Sequence, residues 1–160
     1  MTSKKILVIG STSFSGSHFV AEALSKGHLV WGVSRSNEPN SAFLPYRWKN
    51  YHSSIESSTD TNFTYKKIDI NHDLYELLKL IDHINPQIIV NFAAQGMVSE
   101  SWKAPLDWYQ TNLIAQVALH DELRKRKFIE KYVHVTTPEV YGSTKNKWIQ
   151  EDTHFAPSTP

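Results

Sequence analysis

Short apolar runs recur along the chain, each followed by a longer stretch in which apolar residues return every three or four positions. The first run, KKILVIG (Lys4 to Gly10), is almost unbroken, as suits a strand buried on both faces. From Ser15 to Lys26, Phe19, Val20, Ala23 and Leu24 fall at helical spacing, and Gly27 is placed to end the helix. HLVWGV (His28 to Val33) and FTYKKIDI (Phe63 to Ile70) predict the second and third strands. Between His72 and Ile84, Leu74, Leu77, Leu78 and Ile81 share one helical face, and Pro86 closes the helix. QIIVNFAA (Gln87 to Ala94) predicts a fourth strand and KYVHVTT (Lys131 to Thr137) a fifth. A long helix opened by proline, Pro105 to Lys127, lies between them.

Strands alternating with helices imply right-handed crossovers, a parallel sheet and a helix layer on each face. The fold class is therefore α/β: a Rossmann-type doubly wound sheet in three layers, with strand order 3-2-1-4-5. Ligands of such sheets sit at the carboxyl ends of the strands, at the switch point between strands 1 and 4. Two regions break the rhythm. Ser34 to Asn62 is a long polar connection whose apolar island, AFLPYRW, predicts docking onto a cofactor or a neighbouring subunit. Ser143 to Pro160 reads as loop.

With 160 residues and 40% hydrophobic content, the chain forms one domain that buries roughly 70% of its unfolded surface. A net charge of +1 gives no bias toward nucleic acid. The one dense basic run, Arg124 to Lys127, ends a predicted helix, where cations meet the negative end of the dipole. Cysteine is absent, which excludes disulfides and thiol catalysis. The eight histidines are scattered without metal-ligand spacing, so no metal is expected. The apolar run near the N-terminus is too short for a signal core or a membrane span, and a cytoplasmic location is the simplest expectation.

Directly after strand 1 stands GSTSFSGSHF, Gly10 to Phe19. A diphosphate at a helix N-terminus needs free backbone N–H groups and no side chain in the way. Gly10 permits a tight turn and Gly16 a close helix, while Ser13 stands where a middle glycine is usual. At positive φ that serine costs about 1–2 kcal/mol, which hydroxyls of Ser11, Thr12, Ser13 and Ser15 on phosphate could offset. On spacing alone an ordinary strand-to-helix turn fits as well. The preceding strand and following helix favour phosphate.

Gly10, Gly16 and the GSH that follows resemble the opening of the extended short-chain dehydrogenase/reductases, the NAD(P)-dependent epimerase/dehydratase family. Four more stretches agree in order: IDI (Ile68 to Ile70), NFAAQ (Asn91 to Gln95), PLDWYQTN (Pro105 to Asn112) and TTPEVYG (Thr136 to Gly142). The nearest resemblance is to dTDP-glucose and GDP-mannose 4,6-dehydratases. It implies cofactor contacts from Gly10, Thr12, Ser13, Phe14, Ser15 and Gly16 in the turn, and from Arg35 and Ser36 after strand 2. It also implies Asp69 and Ile70 at the adenine, with Phe92, Ala93, Ala94 and Gln95 along the adenosine diphosphate. Thr111 would approach the nicotinamide side, while Asn112 would brace the sheet. For Asp69 a capping role in the next turn stays open, as does a plain loop role for Gln95.

The resemblance implies chemistry at Thr137 and Glu139. In such enzymes a nucleotide-diphosphate sugar is oxidised transiently at C4, a glutamate removes the C5 proton, the C6 hydroxyl leaves, and the hydride returns to C6. Thr137 would hydrogen-bond the C4 hydroxyl. Glu139 would act as base, with a pKa raised by partial burial. Pro138 replaces the acidic residue of the dTDP-glucose type, so dehydration, epimerisation and decarboxylation stay open. Ser34-Arg35-Ser36 ends strand 2 without a carboxylate, which favours NADP over NAD because a guanidinium pairs with a 2′-phosphate.

The family's Tyr-x-x-x-Lys is expected just after Pro160; Tyr141 and Lys145 have the spacing but stand too early. The resemblance thus implies the N-terminal half of a longer enzyme, homodimeric when complete and inactive as this piece alone. A non-catalytic dinucleotide-binding sensor or partner module is the other reading.

Overall fold

A computed structural model describes residues 2–48, 62–143, 148–151 and 154–158. Strands β1 (Lys5–Ile9), β2 (Leu29–Ser34), β3 (Phe63–Lys67), β4 (Ile88–Asn91) and β5 (Lys131–His134) form one parallel sheet in the order β3-β2-β1-β4-β5. The expected topology is therefore present. β3, β4 and β5 end earlier than their apolar runs, because Ile68, Phe92 and Val135 already belong to the loops at the carboxyl edge.

β1 explains its own composition. Leu7 and Ile9 face one core with Leu77 and Ile81 of helix α2 (Leu74–Ile84) and with Leu119 of helix α5 (Ala115–Leu123), whereas Ile6 and Val8 face the other with Val20 and Leu24 of helix α1 (Phe14–Ser25). All four strand residues are buried, each stabilising the fold by about 1.5–3 kcal/mol relative to exposure. α2 ends at Asn85, which takes the left-handed conformation (φ 50°) just before Pro86.

After the short helix α3 (Val98–Ser101), the predicted long helix begins at Pro105 but stops at Leu123, and it is not uniform. α4 (Pro105–Tyr109) passes through a π-helical turn, Gln110–Ile114, into α5. There the Ala115 amide reaches back to Gln110, and the Gln116 side chain donates to the Thr111 carbonyl at 3.3 Å. The basic run beyond α5 is largely paired: Arg124 with Asp121, Lys125 with Glu122, and Arg126 with Asp82.

The apolar island behaves differently from expectation. Its two single 3-10 turns, Ser41–Phe43 and Pro45–Arg47, bury Leu44 and Tyr46 in the α1-side core, with the Tyr46 ring 4.7 Å from that of Phe63. Leu44 and Tyr46 thus complete the domain's own core, while Phe43 and Trp48 of the same island stay exposed.

Candidate cofactor and active site

The turn after β1 is held at every point that matters for an anion. Gly10 has φ +79°, and a Cβ there would lie 2.8 Å from the Ala93 nitrogen and 2.9 Å from the Phe92 carbonyl carbon. Only glycine lets the β1 and β4 turns press together. Gly16 has no room for a Cβ against the Gly10 carbonyl. Ser13 is extended (φ −68°, ψ 162°), not strained, and its Oγ caps α1 by accepting from the Gly16 amide at 3.1 Å. The serine therefore stabilises the turn by about 1 kcal/mol where the sequence suggested a penalty.

Ser11 is a correction. It is fully buried, and its hydroxyl donates to the Val33 carbonyl at 3.4 Å, away from any phosphate. The Thr12 amide donates to Ser34 Oγ (3.1 Å) and the Ser13 amide to the Gly10 carbonyl (3.0 Å). Among the described residues this leaves the Phe14 and Ser15 amides, in the first turn of α1, without partners. Two free donors at a helix N-terminus attract an anion.

Beside them opens a cavity of about 250 Å³, lined by Gly10, Thr12, Ser13, Arg35, Ser36, Asp69, Ile70, Phe92, Ala93, Ala94 and Thr111, together with Ile9, Ser34, Ile68 and Asn71. Eleven of the fifteen residues expected at the cofactor thus meet on one wall system. Phe14, Ser15 and Gln95 line the adjoining crevice, and Gly16 supports from behind. Arg35 is exposed at the rim and has no partner among the described residues.

Asp69 takes the capping role and stands at the cavity wall. Oδ1 closes the next turn by accepting from the Asn71 amide at 2.9 Å, while the residue lines the cavity. Thr111 lies on this same side, its Oγ1 accepting from Asn71 Nδ2 at 3.1 Å, and not in the crevice of Thr137 and Glu139. Asn71 escaped sequence reasoning. Its Oδ1 is buried without a partner, an acceptor still owed a hydrogen bond.

A buried polar network ties the β4 turn down. Asn91, fully buried, donates from Nδ2 to Gln116 Oε1 (2.7 Å) and Tyr132 Oη (2.9 Å), and its Oδ1 accepts from the Ala93 amide (2.8 Å). Gln116 in turn donates to the Ala93 carbonyl at 3.2 Å. Asn112 grips the loop instead of bracing the sheet: it accepts from the Gln95 amide (2.8 Å) and donates to the Gln95 carbonyl (3.0 Å). A buried or facing amide side chain within NFAAQ and YQTN was the only available signal for this network.

The second crevice, about 840 Å³, runs from Ser13–Ser15 past Phe92–Val98 to Trp108, His134, Thr137 and Glu139. Glu139 sits in the 3-10 turn Pro138–Tyr141, its amide donating to Thr137 Oγ1 at 3.2 Å. Both side chains are exposed, so the burial expected around a base of raised pKa is not provided here. His134 is also exposed, yet desolvation, and then the charge of His120, push its imidazole below the usual range. The tail returns to this turn, with the Ala156 amide on the Val140 carbonyl (2.8 Å) and Phe155 against Tyr141 (5.6 Å between centroids). Lys145 lies outside the described residues. Another pair of Tyr-x-x-x-Lys spacing, Tyr75 and Lys79, lies on α2 with the ammonium 4.2 Å from the ring centroid, and neither residue lines the cavity or the crevice described above. Among the described residues no histidine or acidic cluster could hold a metal, and no helix is long and apolar enough to cross a membrane.

The profile of the GDP-mannose 4,6 dehydratase family matches residues 7–160. A dTDP-glucose 4,6-dehydratase of Xanthomonas campestris pv. campestris is 31% identical over 96% of this chain and 44% of its own length. GDP-mannose 4,6 dehydratase 2 of Caenorhabditis elegans is 29% identical over 98% of this chain and 41% of its own. Among solved structures, UDP-glucose-4-epimerase from Stenotrophomonas maltophila, with bound NAD and a formylated UDP-arabinopyranose, superposes with TM-score 0.79 at 23% identity, over 98% of this chain and 44% of that one. The chain spans less than half the length of these relatives. The turn after β1, the β3 and β4 loops and the TTPEVYG stretch thus stand in a chain that belongs to the GDP-mannose 4,6 dehydratase family.

Proposed function

We propose that this chain is the cofactor-binding half of an NAD(P)-dependent nucleotide-sugar 4,6-dehydratase or epimerase that works by transient oxidation at C4. One observation carries the reading: the two unpartnered amides of Phe14 and Ser15 share a cleft system with Arg35, Asp69 and the unsatisfied Asn71 Oδ1. These donors and acceptors suit a dinucleotide. Phe14 and Ser15 would hold the diphosphate, Asp69 the adenine amino group, and Phe92 to Gln95 the adenosine side. A bound nicotinamide supplies the hydride acceptor and donor. Arg35, with no carboxylate ending β2, favours NADP. Solved neighbours bind NAD in their own structures, which supports a nicotinamide dinucleotide without deciding the 2′ group.

At the second crevice Thr137 would orient the C4 hydroxyl, and Glu139 would take the C5 proton. Pro138 can neither donate nor accept a proton, so in a dehydration Glu139 would also return a proton to the leaving hydroxyl. The dehydratases and epimerases among the relatives support this class of substrate, a nucleotide-diphosphate sugar. Exposure of Glu139 supports inactivity of the 160-residue piece, since a base needs a drier site. Leu106, Tyr109, Leu113 and Val117, exposed along α4 and α5, support a homodimer. A cytoplasmic location fits this chemistry.

The same exposure also favours a non-catalytic binding module. Titration of the chain with NADP and NAD, followed by assay with nucleotide-sugars, tests both readings. Submillimolar binding of either dinucleotide without turnover is expected. No binding at about 1 mM would overturn the cofactor site, and sugar conversion by the piece alone would overturn its inactivity. A coding sequence continuing into Tyr-x-x-x-Lys selects the enzyme, and one stopping at Pro160 the module.

A further inference from the structure

Leaving β2, the chain passes Arg35, Ser36 and Asn37 to Glu38, the only acidic residue between positions 34 and 48. Glu38 is thoroughly occupied. Tyr46 Oη donates to Oε1 at 2.8 Å, and Arg47 Nη2 donates to Oε2 at 2.9 Å and to Oε1 at 3.1 Å, with Nε at 3.3 Å. The guanidinium lies 5.5 Å from the Tyr46 ring centroid and 5.3 Å from that of Phe63. The ion pair is only 36% and 24% exposed on its two side chains, so water screens it less than an open surface pair.

The other end of the segment is pinned by β3. Tyr65 Oη donates to the Ser36 carbonyl and, at 3.4 Å, to that of Ser34. Burial and then the field of Glu38 push the Tyr65 hydroxyl pKa up, so the carboxylate's charge is felt where Ser36 is anchored. Glu38 itself does not line the cavity, whereas Arg35 and Ser36 do. The loop thus carries one carboxylate and two guanidiniums, and internal pairing removes one of each from play.

We propose that Arg47, by binding Glu38, is a positioning residue that sets dinucleotide choice, keeping the segment's only carboxylate away from the ribose 2′ position so that Arg35 alone faces it. The idea rests on the NADP reading above. Without Arg47, Glu38 keeps, among the described residues, only the Tyr46 hydrogen bond on Oε1, so its uncompensated carboxylate can turn to accept from a 2′-hydroxyl and repels a 2′-phosphate, which carries close to two negative charges.

The test is the ratio of NADP to NAD affinity, measured by fluorescence titration of the chain. Arg47→Met weakens NADP about tenfold and NAD less than about twofold, and Glu38→Gln in the same chain restores the ratio. A merely structural role would lower both affinities together and leave the ratio alone. Should Arg47→Met fail to fold, Arg47→Gln takes its place: it too removes the cation from Glu38, so the ratio falls several-fold, and an unchanged ratio overturns the proposal. Arg35→Ala separates the two levels of inference. If it collapses the ratio while the Arg47 variants leave it alone, the NADP reading stands and the Arg47 proposal falls. If Arg35→Ala leaves the ratio unchanged, both fall.

Discussion

The cavity on the β1–β3 side and the crevice on the β4–β5 side share Ser13, Phe92, Ala93 and Ala94, yet they are finished to different degrees. The first, about 250 Å³, is walled by turns that are tied down, with the Thr12 and Ser13 amides paired and Asn71 Oδ1 left open. The second, about 840 Å³, presents Thr137 and Glu139 on an exposed single turn. On the proposed reading, the cofactor contacts are preorganised within the chain, whereas Thr137 and Glu139 stand open to solvent. Precise placement of donors is what a cofactor needs, and exclusion of water is what a general base needs.

The largest effect comes from breaking the wall that both regions share. Gly10→Val forces a β-branched residue into φ +79° and drives its Cβ to within 3 Å of the Phe92–Ala93 backbone. A loss of about 3 kcal/mol or more is expected from strain and overlap, read as a lowered urea midpoint, together with loss of dinucleotide binding. A normal midpoint would mean that the two turns are not pressed together.

Next is the buried network beneath that wall. Asn91→Leu leaves the Ala93 amide, Gln116 Oε1 and Tyr132 Oη short of partners. Each orphaned group costs about 1–3 kcal/mol, eased by any water that enters, so a net loss of about 3 kcal/mol is expected in the same melt. Near-neutral behaviour would separate the β4 turn from the core.

The strand order was legible because each strand carries its own burial pattern, β1 above all, and the glycine turn because φ at Gly10 admits little else. What escaped depends on partners distant in sequence. Ser11 and Ser13 look alike in the string, but one is swallowed between β1 and β2 and the other caps α1. Leu44 and Tyr46 sit in a polar connection, and only Phe63 and α1 reveal that they are core. The π turn leaves no periodic trace, and the Gln116 side chain that donates to the Thr111 carbonyl within it is not marked by spacing. Thr111 consequently points to Asn71, a pairing across 40 positions that the motif around it does not encode.

Glu139→Gln sharpens the contrast between the regions from the other side. The residue is exposed and accepts nothing from the fold through its side chain among the described hydrogen bonds. Stability and dinucleotide affinity should stay within about 0.5 kcal/mol of wild type, while sugar turnover by any polypeptide that continues into the proposed Tyr-x-x-x-Lys falls about 100-fold. Weakened dinucleotide binding would merge the two regions into one site.

The smallest effect lies at the far edge of the sheet, where the helices beneath both regions meet. Arg126, beyond α5, holds Asp82 of α2 through Nε (2.6 Å) and Nη2 (2.8 Å). The hydrogen bonds from Arg126, which outweigh a small burial penalty, hold the Asp82 carboxyl below its usual range. A folded-state pKa below the unfolded one makes the pair stabilising above the ordinary carboxylate pKa, and that stabilisation is lost as pH falls through the folded value. Because the Asp82 side chain is 53% exposed, water and salt take most of the Coulomb energy. Asp82→Asn should therefore cost only about 0.5 kcal/mol at neutral pH, and the gap from wild type should close in acid melts once the pH falls through the lowered folded-state value. Dinucleotide affinity should not move, since helix C-termini in a parallel α/β domain lie at the edge opposite the ligands. A change in affinity would show that the two ends of the sheet are coupled through α2 and α5, and the division between a finished cavity and an open crevice would then be a property of the whole domain and not of its carboxyl edge.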